Sequence, residues 1–231
     1  MLIAVMLSEP LLAGTVTGSI RLIQSSDSGH KKKDDLSGVV VWLTSTELPP
    51  PATTLRHAKM LQKDKRFSPH ILAIQTGTGV EFPNLDPIFH NAFSNYYGQV
   101  FDVALYPPGT SRTVRFERPG IVRVFCNIHP SMSAIIVVVN SSYFTTTDRD
   151  GRYSIPNVRP GKYQVHFFSE RATEETLAKL TQNIVVGEDM EPLALVSISE
   201  TGYLPVAHKN KYGRDYPVED DRSGIYSPQM R

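Results

Sequence analysis

Apolar and polar positions alternate along this chain in short bursts, punctuated by proline and glycine turns. In Thr113 to Glu117, Val114 and Phe116 share one face while Arg115 and Glu117 share the other, the period of a half-buried strand. Gly77 to Asn84 repeats it, with Val80 and Phe82 inward and Glu81 outward. In Ile121 to Cys126 the same period puts Cys126 on the face of Val122 and Val124, with Arg123 on the opposite face, toward water. Continuous apolar runs predict more deeply buried strands: Gly38 to Leu43, and Ser133 to Val139, which is covered on both faces. Thr15 to Leu22, Phe67 to Ile74, Phe101 to Tyr106, Asn183 to Val186 and Leu193 to Ile198 read as further strands. Asn157 to Phe167 reads as a Pro-Gly turn followed by alternating Tyr163, Val165 and Phe167. One short helix is predicted over Thr173 to Leu180, with Thr173 as N-cap. Leu55 to Lys65 is mixed and basic and predicts no element. The fold class is all-β.

Breaks in the pattern suggest boundaries. Met1 to Ala13 is apolar but shorter than the roughly 20 residues a membrane span needs, and it matches the end of a secretory signal lacking its basic start. The mature chain would then begin near Gly14 and be periplasmic or secreted. Leu48-Pro49-Pro50-Pro51 reads as a linker. Residues 202–231 are polar, rich in Tyr, Pro and Asp, and lack periodicity, which predicts an extended or disordered tail. Seventeen Pro and fifteen Gly fit many short strands. A net charge of +1 with no long basic face argues against nucleic acid as a partner.

The chemistry concentrates in Cys126-Asn127-Ile128-His129-Pro130-Ser131-Met132, which holds the single cysteine of 231 residues, with a histidine and a methionine following it. A thiolate, imidazoles and a distant thioether are the donor set of a blue copper electron-transfer site. His90, in Asp86-Pro87-Ile88-Phe89-His90-Asn91, is the candidate for the second imidazole. Taken singly, each residue has a plainer reading: a core cysteine, a turn histidine, a core methionine. Zinc on Cys126, His90 and His129 is an alternative, although closed structural zinc sites usually gather more thiolates.

Phe67 to Val139 resembles a cupredoxin of the plastocyanin and azurin type, and among these it is most similar to amicyanin. The likeness rests on Phe67 and Pro69 before a strand, the glycine-led Gly79 to Asn84, His90-Asn91 after it, and the short Cys126 to Met132 loop. It implies a Greek-key β-sandwich over 49–140 binding one copper ion, with Cys126 as thiolate, His90 and His129 as imidazoles and Met132 as the long axial ligand. It also implies that Asn91 ties the two ligand loops together and that Pro130 stiffens the second. Pro87, Ile88 and Phe89 would flank the edge of His129 as a docking patch for a transient redox partner. The flanks, 14–48 and 141–201, resemble a carboxypeptidase regulatory-like (transthyretin-like) β-sandwich. Thr147 to Tyr163 and the strands Gly18 to Leu22 and Gly38 to Leu43 carry that likeness. The cupredoxin would then be inserted between strands of a smaller sandwich; the alternative is that Gly18 to Leu43 belongs to the cupredoxin sheet.

The function so implied is a single-electron carrier and not an enzyme. A non-redox binding module, in adhesion or carbohydrate contact, and a copper storage or delivery protein are the competing readings. His30, His57, His70, His166 and His208 form no His-x-His pair, as further copper centres would need. Asp148-Arg149-Asp150-Gly151 reads as a turn, since the later glutamate of a calcium loop is absent. No phosphate-binding glycine loop or nucleophile elbow occurs.

Overall fold

The computed structural model describes residues 13–23, 35–45, 47, 56–95, 98–201 and 208–216. Residues 1–12 of the expected signal remnant, the proline cluster at 48–51, and 202–207 and 217–231 of the tail lie outside those residues. The first strands among the described residues are β1 (Gly14–Ile23) and β2 (Val40–Ser45). Ten short strands follow: β3 (His57–Lys59), β4 (Leu61–Lys63), β5 (Arg66–Ser68), β6 (Ile71–Gln75), β7 (Thr78–Pro83), β8 (Phe93–Ser94), β9 (Phe101–Asp102), β10 (Ser111–Phe116), β11 (Gly120–Phe125) and β12 (Ser133–Val139). The rest comprises β13 (Phe144–Thr146), β14 (Arg152–Val158), β15 (Gly161–Phe168), α1 (Glu174–Lys179), β16 (Gln182–Val186) and β17 (Val196–Ser199).

Strand pairing divides the chain into two units. Among the described residues, β1 pairs antiparallel with β14 and parallel with β17, while β2 lies between β13 and β15, with β16 beyond. These two sheets close over Val16, Ile20, Val41, Leu43, Val165 and Ile198, all 2% exposed or less. The intervening residues form the order β10-β7-β3, the order β6-β12-β11-β8-β9, and the hairpin β4-β5. Their core contains Val80, Phe82, Phe116, Val122, Val124 and Ile136, each 0% exposed. Burying one such side chain contributes about 1.5–3 kcal/mol.

The apolar run of β12 has a double use. Ala134, Ile136 and Val138 face the core that also holds Cys126 and Met132. Ile135, Val137 and Val139 face a third core shared with Val40 and Phe168 of the other unit. This second contact also changes the picture of β11. Arg123, expected to face water, is half-buried in a cleft lined by Trp42, His166 and Glu170, because the other sandwich covers that face. The helix starts where Thr173 caps it, its Oγ1 accepting from the Thr176 N–H at 3.2 Å. Phe67 to Ile74 divides into β5 and β6 around Pro69, which has no N–H to offer a ladder. Leu55 to Lys65, unassigned from pattern, supplies β3 and β4.

Candidate metal centre

Two loops at one end of the intervening unit meet. The first follows β7. Asn84 curls it by donating Nδ2 to the Ile88 carbonyl at 2.8 Å and accepting the Asp86 N–H at 3.1 Å. His90 is then pinned by reciprocal backbone bonds with Tyr106, at 3.3 and 2.9 Å. Tyr106 is fully buried and donates its hydroxyl to the Phe82 carbonyl at 2.8 Å, while Gln62 Nε2 donates to that hydroxyl. The second loop follows β11. Its ends are joined by the Cys126 N–H to the Met132 carbonyl at 3.2 Å, and the Met132 N–H bonds the His129 carbonyl at 3.1 Å.

These loops bring together Cys126 Sγ and one ring nitrogen each of His90 and His129, all three residues buried and these atoms within 4.8 Å of one another. The sulfur lies 3.9 Å from His90 Nδ1 and 3.5 Å from His129 Nδ1. Metal–sulfur and metal–nitrogen bonds of about 2.3 and 2.0–2.1 Å, spread near 120°, span a sulfur–nitrogen edge of roughly 3.8 Å. The donor set and its spacing fit one ion held between them. Met132 is 0% exposed and shares the core of Cys126. Asn91 bridges the loops, its Oδ1 accepting the Asn127 N–H at 2.6 Å. Pro87, Phe89 and Pro130 are exposed and Ile88 half-buried, and Leu85 is 53% exposed.

Electrostatics favour neutral imidazoles. Burial, with His90 and Lys65 nearby, lowers His129 to about 4, against the opposing pull of Asp86. Burial also lowers His90, although Asp86 counters it. Burial pushes the Cys126 thiol up, while backbone N–H groups of Asn91, Ile128 and His129 favour the thiolate. A cation would complete that stabilisation, since metal ligation requires the deprotonated sulfur.

Pattern alone missed one essential neighbour. Asp86 Oδ2 lies 2.7 Å from His90 Nε2, which leaves Nδ1 free to face the sulfur. Its carboxylate is cradled by the backbone N–H groups of Asp64 and Lys65, at 2.6 and 2.9 Å. Both residues sit at φ of 55 and 53°, in the turn joining β4 to β5. Burial alone would raise the Asp86 carboxyl, but the Lys65 N–H, the His90 ring and the Asp64 N–H together hold it below its ordinary value. The spacing of four from His90 was the only trace of this pair in the sequence. The polar tail supplied a second surprise: residues 208–216 lie against the Cys126 loop, with His208 stacked on Phe125 at 4.0 Å between ring centroids.

Comparison with known proteins gives partial likenesses. Residues 133–191 match a family described as polysaccharide lyase family 4, domain II, which spans β12 and much of the sandwich expected to be carboxypeptidase regulatory-like. No curated protein matches. Among solved structures, a Cu-containing nitrite reductase (NirK) from Thermus scotoductus SA-01 is 28% identical over 40% of this chain and 25% of its own, at a TM-score of 0.35. This chain therefore spans about a quarter of that protein's length. A purple cupredoxin from Nitrosopumilus maritimus is 26% identical over 36% of this chain and 99% of its own, with a TM-score of 0.33. Amicyanin from Paracoccus versutus is 18% identical over 43% and 97%, at 0.34.

Proposed function

We propose that this chain is a copper protein that carries single electrons between redox partners, and that it is not an enzyme. The observation carrying this reading is the buried meeting of one thiol and two imidazole nitrogens within 4.8 Å. Cys126, His90 and His129 would hold the ion, with the Met132 thioether as a further, weak donor. Copper held this way takes up and releases one electron with little change in ligand geometry, because thiolate and imidazole together suit both of its oxidation states. The chain supplies the rigidity: Asp86 holds the His90 ring, Asn91 ties loop to loop, and the Cys126–Met132 backbone bond closes the ring of ligands. With four protein donors, no position is left for a substrate. Of the other described histidines, His70 pairs with Glu170 at 2.7 Å and His166 with Thr44 at 2.8 Å.

A partner would approach the apolar patch of Pro87, Phe89 and Pro130, a surface small enough for brief encounters. No helix among the described residues is long and apolar enough to cross a membrane. We place the protein in the periplasm or outside the cell on the strength of its apolar N-terminus. The match of residues 133–191 supports a second reading, a non-redox module in contact with carbohydrate. Loading the purified chain with Cu(II) separates the two. One equivalent of copper with an intense thiolate charge-transfer band, abolished in Cys126→Ser, is expected; a colourless chain without copper affinity would overturn the carrier reading.

A further inference from the structure

The inner hydrogen bonds of the Cys126–Met132 loop leave acceptors that point outward, and a distant segment meets three of them. Tyr216 donates its hydroxyl to the Cys126 carbonyl at 2.8 Å. The Lys211 N–H donates to Asn127 Oδ1 at 2.9 Å, and His208 Nε2 donates to the Pro130 carbonyl at 2.8 Å. The Tyr216 hydroxyl also lies 3.1 Å from His208 Nδ1.

The same segment closes a circuit through both ligand loops. Lys211 Nζ reaches Asp102 Oδ2 at 2.7 Å, and Asp102 Oδ1 accepts from Asn91 Nδ2 at 3.4 Å. Asn91 Oδ1 accepts the Asn127 N–H, and Asn127 Oδ1 accepts the Lys211 N–H. Each member is thus held on two sides, and the bonds join the residue after His90, the residue after Cys126 and the tail.

We propose that residues 208–216 form a strap that positions the ligand loop for copper, with Tyr216 and His208 as positioning residues. This rests on the copper reading above. The physical reason is leverage. The Cys126 carbonyl belongs to the peptide plane next to the ligand's own Cα, so rotating that plane reorients the sulfur. The Tyr216 hydroxyl resists that rotation. The His208 bond holds the Pro130 carbonyl, next to His129. Groups beyond the ligands commonly set metal affinity in this way, at about 10–100-fold per partner removed.

The test uses the full chain carrying Tyr216→Phe, which deletes one oxygen and keeps the ring, and Tyr216→Phe with His208→Phe, which also keeps a ring against Phe125. Val185→Ala is the control, since that side chain is 70% exposed and lies on β16 of the other unit. In metal-free protein, amide hydrogen exchange at residues 126–132 should accelerate in both strap variants and stay unchanged in the control. On Cu(II) loading, the strap variants should show a displaced charge-transfer band and about tenfold or more weaker copper retention against a chelator. Wild-type exchange in the strap variants would overturn the strap, as would a wild-type band and retention. A parent chain that takes up no copper would overturn the copper reading instead, while the exchange measurement still decides whether the strap holds the loop.

Discussion

The two sandwiches bury similar apolar cores, yet they differ in the polar groups they bury. In the unit from β3 to β12, Gln62, Asn84, Asp86, His90, Asn91 and His129 are all buried, toward one end. In the other, they are fewer: Glu200 pairs with Arg171, and Thr147 Oγ1 accepts the Val39 N–H and donates to the Leu36 carbonyl. That bond fastens a turn. A buried polar group left unpaired costs about 1–3 kcal/mol, and a paired one gains little over an apolar replacement. A sandwich selected for stability alone would have filled that end with aliphatic side chains. The concentration of polar groups therefore sets the proposed site apart from the plainer unit.

The sharpest way to break this contrast is pH. In metal-free protein His129 is neutral, with its pKa lowered from 6.5 to about 4. The unfolded chain gains that proton first, so stability should fall as pH drops from about 6.5 to about 4, by about 3 kcal/mol for this residue. Asp86, held below 3.8, adds a contribution lost only at still lower pH. Denaturant midpoints at pH 7 and pH 4 measure this; equal stability at the two would contradict a neutral buried imidazole. Next is Asp86→Asn, which removes the charge orienting His90. Copper retention should drop about 10–100-fold by chelator competition, and parental retention would show that the carboxylate serves only the turn.

In the plainer unit, a Cβ at Gly18 would meet the Tyr153 hydroxyl at 2.4 Å. Gly18→Ala should destabilise by roughly 1–3 kcal/mol in thermal unfolding while leaving copper binding intact. A paired substitution gives the finest resolution. Tyr106 and Tyr153 are both buried, but Tyr106 makes two side-chain hydrogen bonds whereas the Tyr153 hydroxyl has no partner among the described residues. Tyr106→Phe should cost about 1–2 kcal/mol, and Tyr153→Phe should be neutral or stabilise by up to ~1 kcal/mol. Equal effects of the two would erase the contrast between the units.

Much of the strand pattern was legible because period-two burial is a local property. Ser133 to Val139 coincides with β12, and Thr173 caps α1 as its side chain predicts. Val80 and Phe82 are fully buried and Glu81 is not, as alternation required. Where the reading fell short, neighbours distant in sequence had intervened. Phe101 to Tyr106 keeps only Phe101–Asp102 as strand, because Tyr106 leaves the ladder to bridge His90. Arg123 looked solvent-facing since nothing near it in sequence revealed that a second sandwich covers β11. At the site, Cys126, His129, Met132 and His90 stood out by chemical type and spacing. Asp86 did not, because an aspartate in a Pro-containing loop has ordinary reasons to be there.

The residue types by themselves determined that one short loop concentrates soft and nitrogenous donors, and that the chain around it alternates as strands do. Such features depend only on neighbours a few positions apart. Tertiary structure alone decided that His90 turns Nδ1 toward the sulfur, that a turn between β4 and β5 cradles the aspartate behind it, and that His208, Lys211 and Tyr216 fold back onto the loop. Each of these depends on directional bonds between groups far apart in the chain, and a hydrogen bond of about 3 Å leaves no periodic trace in sequence.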